Sequence, residues 1–231
     1  MSIQMALTFF TLLDLTAAGL LLLCWLGLTW AIEHPPASRP SMSKLMAEYR
    51  TAWMVQMVPR QPRIADSQTL SSMRQGTAFF TSATMLAIGG GLALIANPDQ
   101  LAGVVSDLSA AEAPRVVWEL KIVLILILLT NAFLKFVWSH RLFGYCQVVV
   151  GAVPNDPKEP SALKLANKAA QVNIFAARSY NRGLRSIYFA LAACAWLLGP
   201  EALIVTTLVT CVVMIRREFA SHSRSVLLQA D

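Results

Sequence analysis

Arg178, Arg182 and Arg185 recur at spacings of four and three, so on a helix they form one stripe of guanidinium groups. Such a stripe can bind anionic lipid headgroups, line an anion-attracting vestibule, or pair with a carboxylate such as Asp66 in a structural network. Asn173 and Asn181 accompany it, and Arg63, Asp66 and Gln68 gather before an earlier apolar run. Together these form the densest polar pattern in the chain, yet no carboxylate cluster faces the arginines closely enough in sequence to indicate an acid/base site. Four further polar residues, Asp14, Lys121, Asn131 and Lys135, lie inside apolar runs. An isolated carboxylate there is costly, so Asp14 and Lys121 are expected to pair, either at the entrance of an ion or proton path or by interfacial solvation near helix ends, which asks less of the sequence. Lys121 and Lys135, near the two ends of one run, can snorkel. Asn131, beside Thr130, needs a partner on another helix or a water-filled cavity, and helix-to-helix glue is its default reading.

Metal and nucleophilic chemistry find little support. Cys24, Cys146, Cys194 and Cys211 are all among apolar neighbours without the close pairing of zinc or redox motifs, and are expected to be reduced, buried and inert. His34, His140 and His222 are far apart and beside expected membrane boundaries. No phosphate loop, nucleophile motif or metal set is present, so no cofactor and no enzyme activity are expected.

The elements that must carry these residues are membrane helices. Of 231 residues, 56% are apolar and 14% charged, and the mean hydropathy is +0.55, far more apolar than a soluble domain. The formal charge of +6 comes from Lys and Arg flanking apolar runs, which indicates membrane orientation, with the lipid bilayer and not nucleic acid as partner. The length suits one bundle, so residues 1–231 are read as a single membrane domain.

The first run, about 9–32, lacks the positive leader of a signal peptide and is expected to be a retained anchor with its N-terminus outside. Residues 33–75 carry six basic and three acidic residues and are read as a cytoplasmic loop. The second run, about 77–96, places Ala83, Ala87 and Gly91 at four-residue spacing, a smooth face for close helix packing. The segment 97–117, with Asp99, Asp107 and Glu112 against Arg115, belongs outside, and the third run spans about 118–138. Residues 139–185 carry seven basic and two acidic residues and form the second cytoplasmic segment. A proline-rich stretch at 154–160 is expected to be helix-free. Beyond it, Leu163, Ala166, Ala170, Ile174 and Ala177 recur at helical spacing, predicting an amphipathic helix at the cytoplasmic surface. The last run is split by Gly199-Pro200-Glu201 into 186–198 and 201–215. One kinked helix and a helical hairpin both fit; the positive-inside rule prefers the hairpin, whose first arm can begin in the preceding helix. The fold class is therefore all-α and polytopic, with four membrane helices or three plus a hairpin.

Arg63-Ile-Ala-Asp66-Ser-Gln68-Thr-Leu70 leading to Gly76-Thr-Ala-Phe-Phe80, then Phe136-Val-Trp-Ser139-His140-Arg141, resembles the DUF599 family of uncharacterised bacterial and plant membrane proteins. Asn173 to Tyr188, Trp196-Leu-Leu-Gly199-Pro200 and Arg216-Arg217-Glu218-Phe219 follow in the same order, so the resemblance covers nearly the whole chain. It implies a recurring plan for the polar motifs and brings no activity. Two functions are expected to compete. One is a small oligomeric channel or transporter with Asn131, Lys135 and the glycine run facing a cavity, in the bacterial inner membrane. The other is an accessory protein that packs in a larger complex or binds anionic lipids through the arginine stripe.

Overall fold

The computed structural model describes residues 9–97, 103 and 114–229, and the expected outer segment with Asp99, Asp107 and Glu112 lies outside the described residues. Helices α1 (Leu12–Glu33), α2 (Met42–Met57), α3 (Ile64–Ala96), α4 (Arg115–Gly151), α5 (Pro160–Cys194), α6 (Pro200–Phe219) and α7 (His222–Leu227) follow one another, with no strand among the described residues. Of these, α1, α3 and α4 are long and apolar enough to cross a membrane. Only a minor part of their most apolar windows is buried within the protein, and side chains such as Leu23, Leu86 and Ile127 are exposed, as lipid-facing helices require.

Several helices run beyond the apolar segments they contain for one reason: charged residues do not end helices, whereas proline does. Helix α3 starts at Ile64 and not near 77, and α4 continues through Ser139-His140-Arg141 until Gly151, just before Pro154. Segment 33–75 contains all of α2, begun by Ser41, whose hydroxyl accepts from the Lys44 amide. The expected amphipathic helix and the first arm of the last run are one helix, α5.

The chain divides into two compact units. The first comprises residues up to Ala31, Thr84–Ala132 and Leu184–Arg217. Here a short 3-10 turn, Ala195–Leu197, and Gly199 at φ 137° end α5 and reverse the chain before Pro200 starts α6. Thr206 Oγ1 then donates to the Ala192 carbonyl at 3.1 Å, and Arg217 donates to the Tyr188 hydroxyl at 2.5 Å, so the two arms run antiparallel as a hairpin. Trp118, Ile122 and Leu126 of α4 form a small core with Ile88 of α3 and Leu197 of the turn.

The second unit comprises Ile32–Ala83, Phe133–Gly183 and Glu218 onward. Its core joins Met54 and Met57 of α2, Leu70 of α3, Phe143 and Val150 of α4 and a row of alanines on α5: Ala162, Ala166, Ala169, Ala170 and Ala176. Each large side chain buried there contributes roughly 1.5–3 kcal/mol, and the alanines let α5 approach closely. Of the expected apolar face of α5, Ala166 and Ala170 are buried, Ile174 and Ala177 half-buried, and Leu163 exposed. A second aromatic cluster stacks Phe136 on Phe80 at 5.4 Å, with Tyr180 against both.

Candidate functional site: two polar clusters

In the second unit, the residues just before and within the first turn of α3 are committed to structure. The Arg63 guanidinium donates to the carbonyls of Val58 (3.0 Å), Val153 (2.6 Å) and Pro154 (2.7 Å), clamping the α2–α3 and α4–α5 connections together. Asp66 is buried; its Oδ1 accepts from the Trp53 indole at 2.7 Å and from Arg60 at 2.5 Å, while Oδ2 is buried without a hydrogen bond. Asp66 therefore pairs with Arg60 and not with the arginine stripe. Gln68 is exposed.

Asn173 is wholly buried; its carbonyl oxygen accepts from Arg50 and its amide donates to the Cys146 thiol at 3.7 Å. Arg50 also reaches the Met73 sulfur at 3.6 Å, and burial pushes its guanidinium down from the ordinary arginine value. Arg182 forms a two-point ion pair with Glu33, Nε to Oε1 at 2.7 Å and Nη2 to Oε2. Arg178, one turn earlier, is exposed over the Phe175 ring at 5.9 Å, and Asn181 is half-buried. Lys135 is half-buried, and its carbonyl accepts from Ser179 at 2.9 Å. His140 accepts from Arg74 at 3.2 Å. The surface of this unit retains Arg141, Lys164, Lys168 and Arg178, none with a carboxylate partner among the described residues.

In the first unit, Asp14 and Lys121 are both buried but do not form a direct ion pair. Trp196 joins them: its indole donates to Asp14 Oδ1 at 2.8 Å, and its carbonyl accepts from Lys121 Nζ at 3.0 Å. The ammonium also stands over the rings of Trp118 (4.7 Å) and Trp196 (5.7 Å). Asp14 Oδ2 accepts from the Thr11 amide (3.1 Å) and hydroxyl (2.7 Å), and Thr11 Oγ1 accepts from the Asp14 amide, a reciprocal cap at the start of α1. Asn131 donates to Ser186 Oγ at 2.7 Å, and the Trp25 indole donates to the same oxygen at 3.2 Å, tying α1, α4 and α5. Arg185 is buried in this unit. Ala87 is exposed, as is Ala83 in the other unit, whereas Gly91 meets the Leu126 side chain so closely that a Cβ would stand 2.7 Å from its Cδ2.

Sequence reasoning missed Glu33, Arg50, Trp25, Trp53, Trp196 and Ser186 as partners. A usable signal was the tryptophans, whose polar N–H seeks an acceptor when the ring is buried. Among the described residues no three His, Cys, Asp or Glu side chains gather as a metal group. All four cysteines are free thiols, and Cys194 is exposed where burial was expected.

No curated protein and no solved structure matches the chain. The family described as a protein of unknown function, DUF599, matches residues 16–223, nearly the full length over which the polar clusters are spread. The chain belongs to the DUF599 family.

Proposed function

We propose that this protein is an accessory membrane protein that gathers anionic lipids at the cytoplasmic face of the bacterial inner membrane. The observation that carries the reading is the set of exposed cations on α4 and α5, Arg141, Lys164, Lys168 and Arg178, which no carboxylate neutralises among the described residues. Near an anionic leaflet each such charge contributes about 1 kcal/mol. Arg141 and Arg178 lean on Tyr145 and Phe175, the arginine-on-aromatic arrangement suited to an interface. In this reading the N-terminus lies outside, α1, α3, α4 and both arms of the hairpin cross the bilayer, and segments 33–75 and 139–185 are cytoplasmic.

The competing reading, an oligomeric channel or transporter, draws less support from the polar residues within apolar helices. Asn131, one of its expected lining residues, is spent on Ser186, and Asp14 and Lys121 are held by Trp196. The test is the ratio of phosphatidylglycerol to phosphatidylcholine retained by purified protein from mixed nanodiscs, alongside ion flux in liposomes. Replacing Lys164, Lys168 and Arg178 with glutamine is expected to lower the ratio several-fold with no flux in either protein. An unchanged ratio would sink the lipid reading, and a flux abolished by Asn131→Leu or Lys135→Leu would replace it with transport.

A further inference from the structure

The first unit holds an apolar pocket of about 320 Å³ between α3, α4 and the end of α5, with Ala87, Gly91, Trp118, Ile122, Leu129 and Ala190 in its walls. Small residues create the space, and bulky aliphatic side chains of α4 floor it. The volume lies at the lower end of the ~300–1,000 Å³ typical of small-molecule sites. Its lining offers water almost no polar partner, so water does not fill it, and an empty pocket leaves its walls without dispersion contacts. Two of its walls, α3 and α4, are helices able to cross a membrane, so hydrocarbon chains are the medium beside it.

One wall residue carries an independent signal. Trp118 is 3% exposed, yet its indole N–H has no acceptor among the described residues. A buried donor in a lipid setting calls for an acceptor. Trp118 lies three residues after the first residue of α4, at the end of an apolar span where tryptophan meets the ester layer of a bilayer.

We propose that the pocket binds one acyl chain of a glycerophospholipid, and that on binding the closed-off Trp118 indole turns so that its N–H donates to the ester carbonyl of that chain.

The experiment uses the full chain in nanodiscs containing a phospholipid with a photoactivatable diazirine in its acyl chain, and maps labelled peptides by mass spectrometry. Labelling is expected to concentrate on 118–129 and 187–194. Ala87→Leu, at an exposed position that tolerates bulk, is expected to lower that labelling at least about fivefold by filling the pocket, while labelling around Leu23 and Leu26 of α1 stays unchanged. Trp118→Phe, which keeps the ring and removes the donor, is expected to lower lipid retention in native mass spectra about fivefold, the worth of one hydrogen bond. Uniform labelling over all lipid-facing helices, or labelling indifferent to both substitutions, overturns the proposal. Labelling of the pocket by a photoactivatable prenylquinone but not by the acyl probe overturns it in favour of a quinone site.

Discussion

Arg182 and Glu33, 149 positions apart in sequence, meet through two parallel hydrogen bonds, with the Glu33 side chain almost fully buried and the Arg182 side chain 40% exposed. The fork geometry is what a guanidinium offers and an ammonium does not. Removing the arginine takes a two-point cationic partner from a buried carboxylate. Complete burial would make that loss about 3–5 kcal/mol, and solvent access to Arg182 reduces the expectation to about 1–2 kcal/mol. Thermal unfolding in detergent should show Arg182→Ala destabilised by this amount, with Arg182→Lys recovering only part and the Glu33→Gln/Arg182→Gln pair costing less than the two single changes combined. Strict additivity would show that the pair is not coupled.

Gly183 is expected to resist substitution more than Gly91. A Cβ at Gly183 would stand 2.6 Å from the Phe136 ring, and that ring is wholly buried against Phe80 and Tyr180 with nowhere to turn. At Gly91 the obstacle is the end of the Leu126 side chain, which can change rotamer. Overpacking should therefore destabilise Gly183→Ala by about 1–3 kcal/mol and Gly91→Ala by clearly less. Chemical unfolding of both variants settles the order, and equal losses would show that Phe136 has room to move.

The helices and their membrane character were legible because apolar runs of about 20 residues leave a strong signal, and Gly199-Pro200 marked a break in the last run that fitted both a kink and a hairpin. Helix α2 was not, although Ser41 as a cap and Leu45, Met54 and Met57 on one face are visible once sought. Its mixed charges made it look like an ordinary solvated connection. The destinations of the charges were the least legible. Thr11-x-x-Asp14 carried the spacing of a reciprocal cap, but that Asp14 also receives the Trp196 indole depends on packing between helices 182 positions apart. The arginine stripe was read as one device, yet Arg178 is exposed, Arg182 is paired and Arg185 is buried. Local spacing fixes a helical face but not what another helix brings to it.

Asp66 offers a test of charge against shape. Its Oδ1 holds both Trp53 and Arg60, and Oδ2 is buried without a bond. Asp66→Asn keeps the shape, retains an acceptor for Trp53 and discards the charge facing Arg60, whose side chain is 44% exposed. The expected loss is about 1 kcal/mol, whereas Asp66→Ala also orphans the indole and should cost about 2–3 kcal/mol. Unfolding free energies of the two variants check the order. A larger loss for Asn than for Ala would mean that the orphaned Oδ2 position rejects an amide.

Ser186 is the acceptor on which two donors from different helices converge, Asn131 Nδ2 at 2.7 Å and Trp25 Nε1 at 3.2 Å. Interhelical hydrogen bonds in membranes contribute about 0.6 kcal/mol on average and at most about 1.7. Deleting the shared acceptor leaves both donors without it, whereas deleting Asn131 leaves the Trp25 bond intact. Ser186→Ala should therefore destabilise more than Asn131→Leu, by roughly 1–2 kcal/mol against less than about 1. A double-mutant cycle between the two positions should return a coupling near the size of one such bond. If Asn131→Leu proved neutral in unfolding but altered ion flux, the amide would be serving a path and not the packing of α4 on α5, so stability and flux measured on the same variant separate the two roles of this residue.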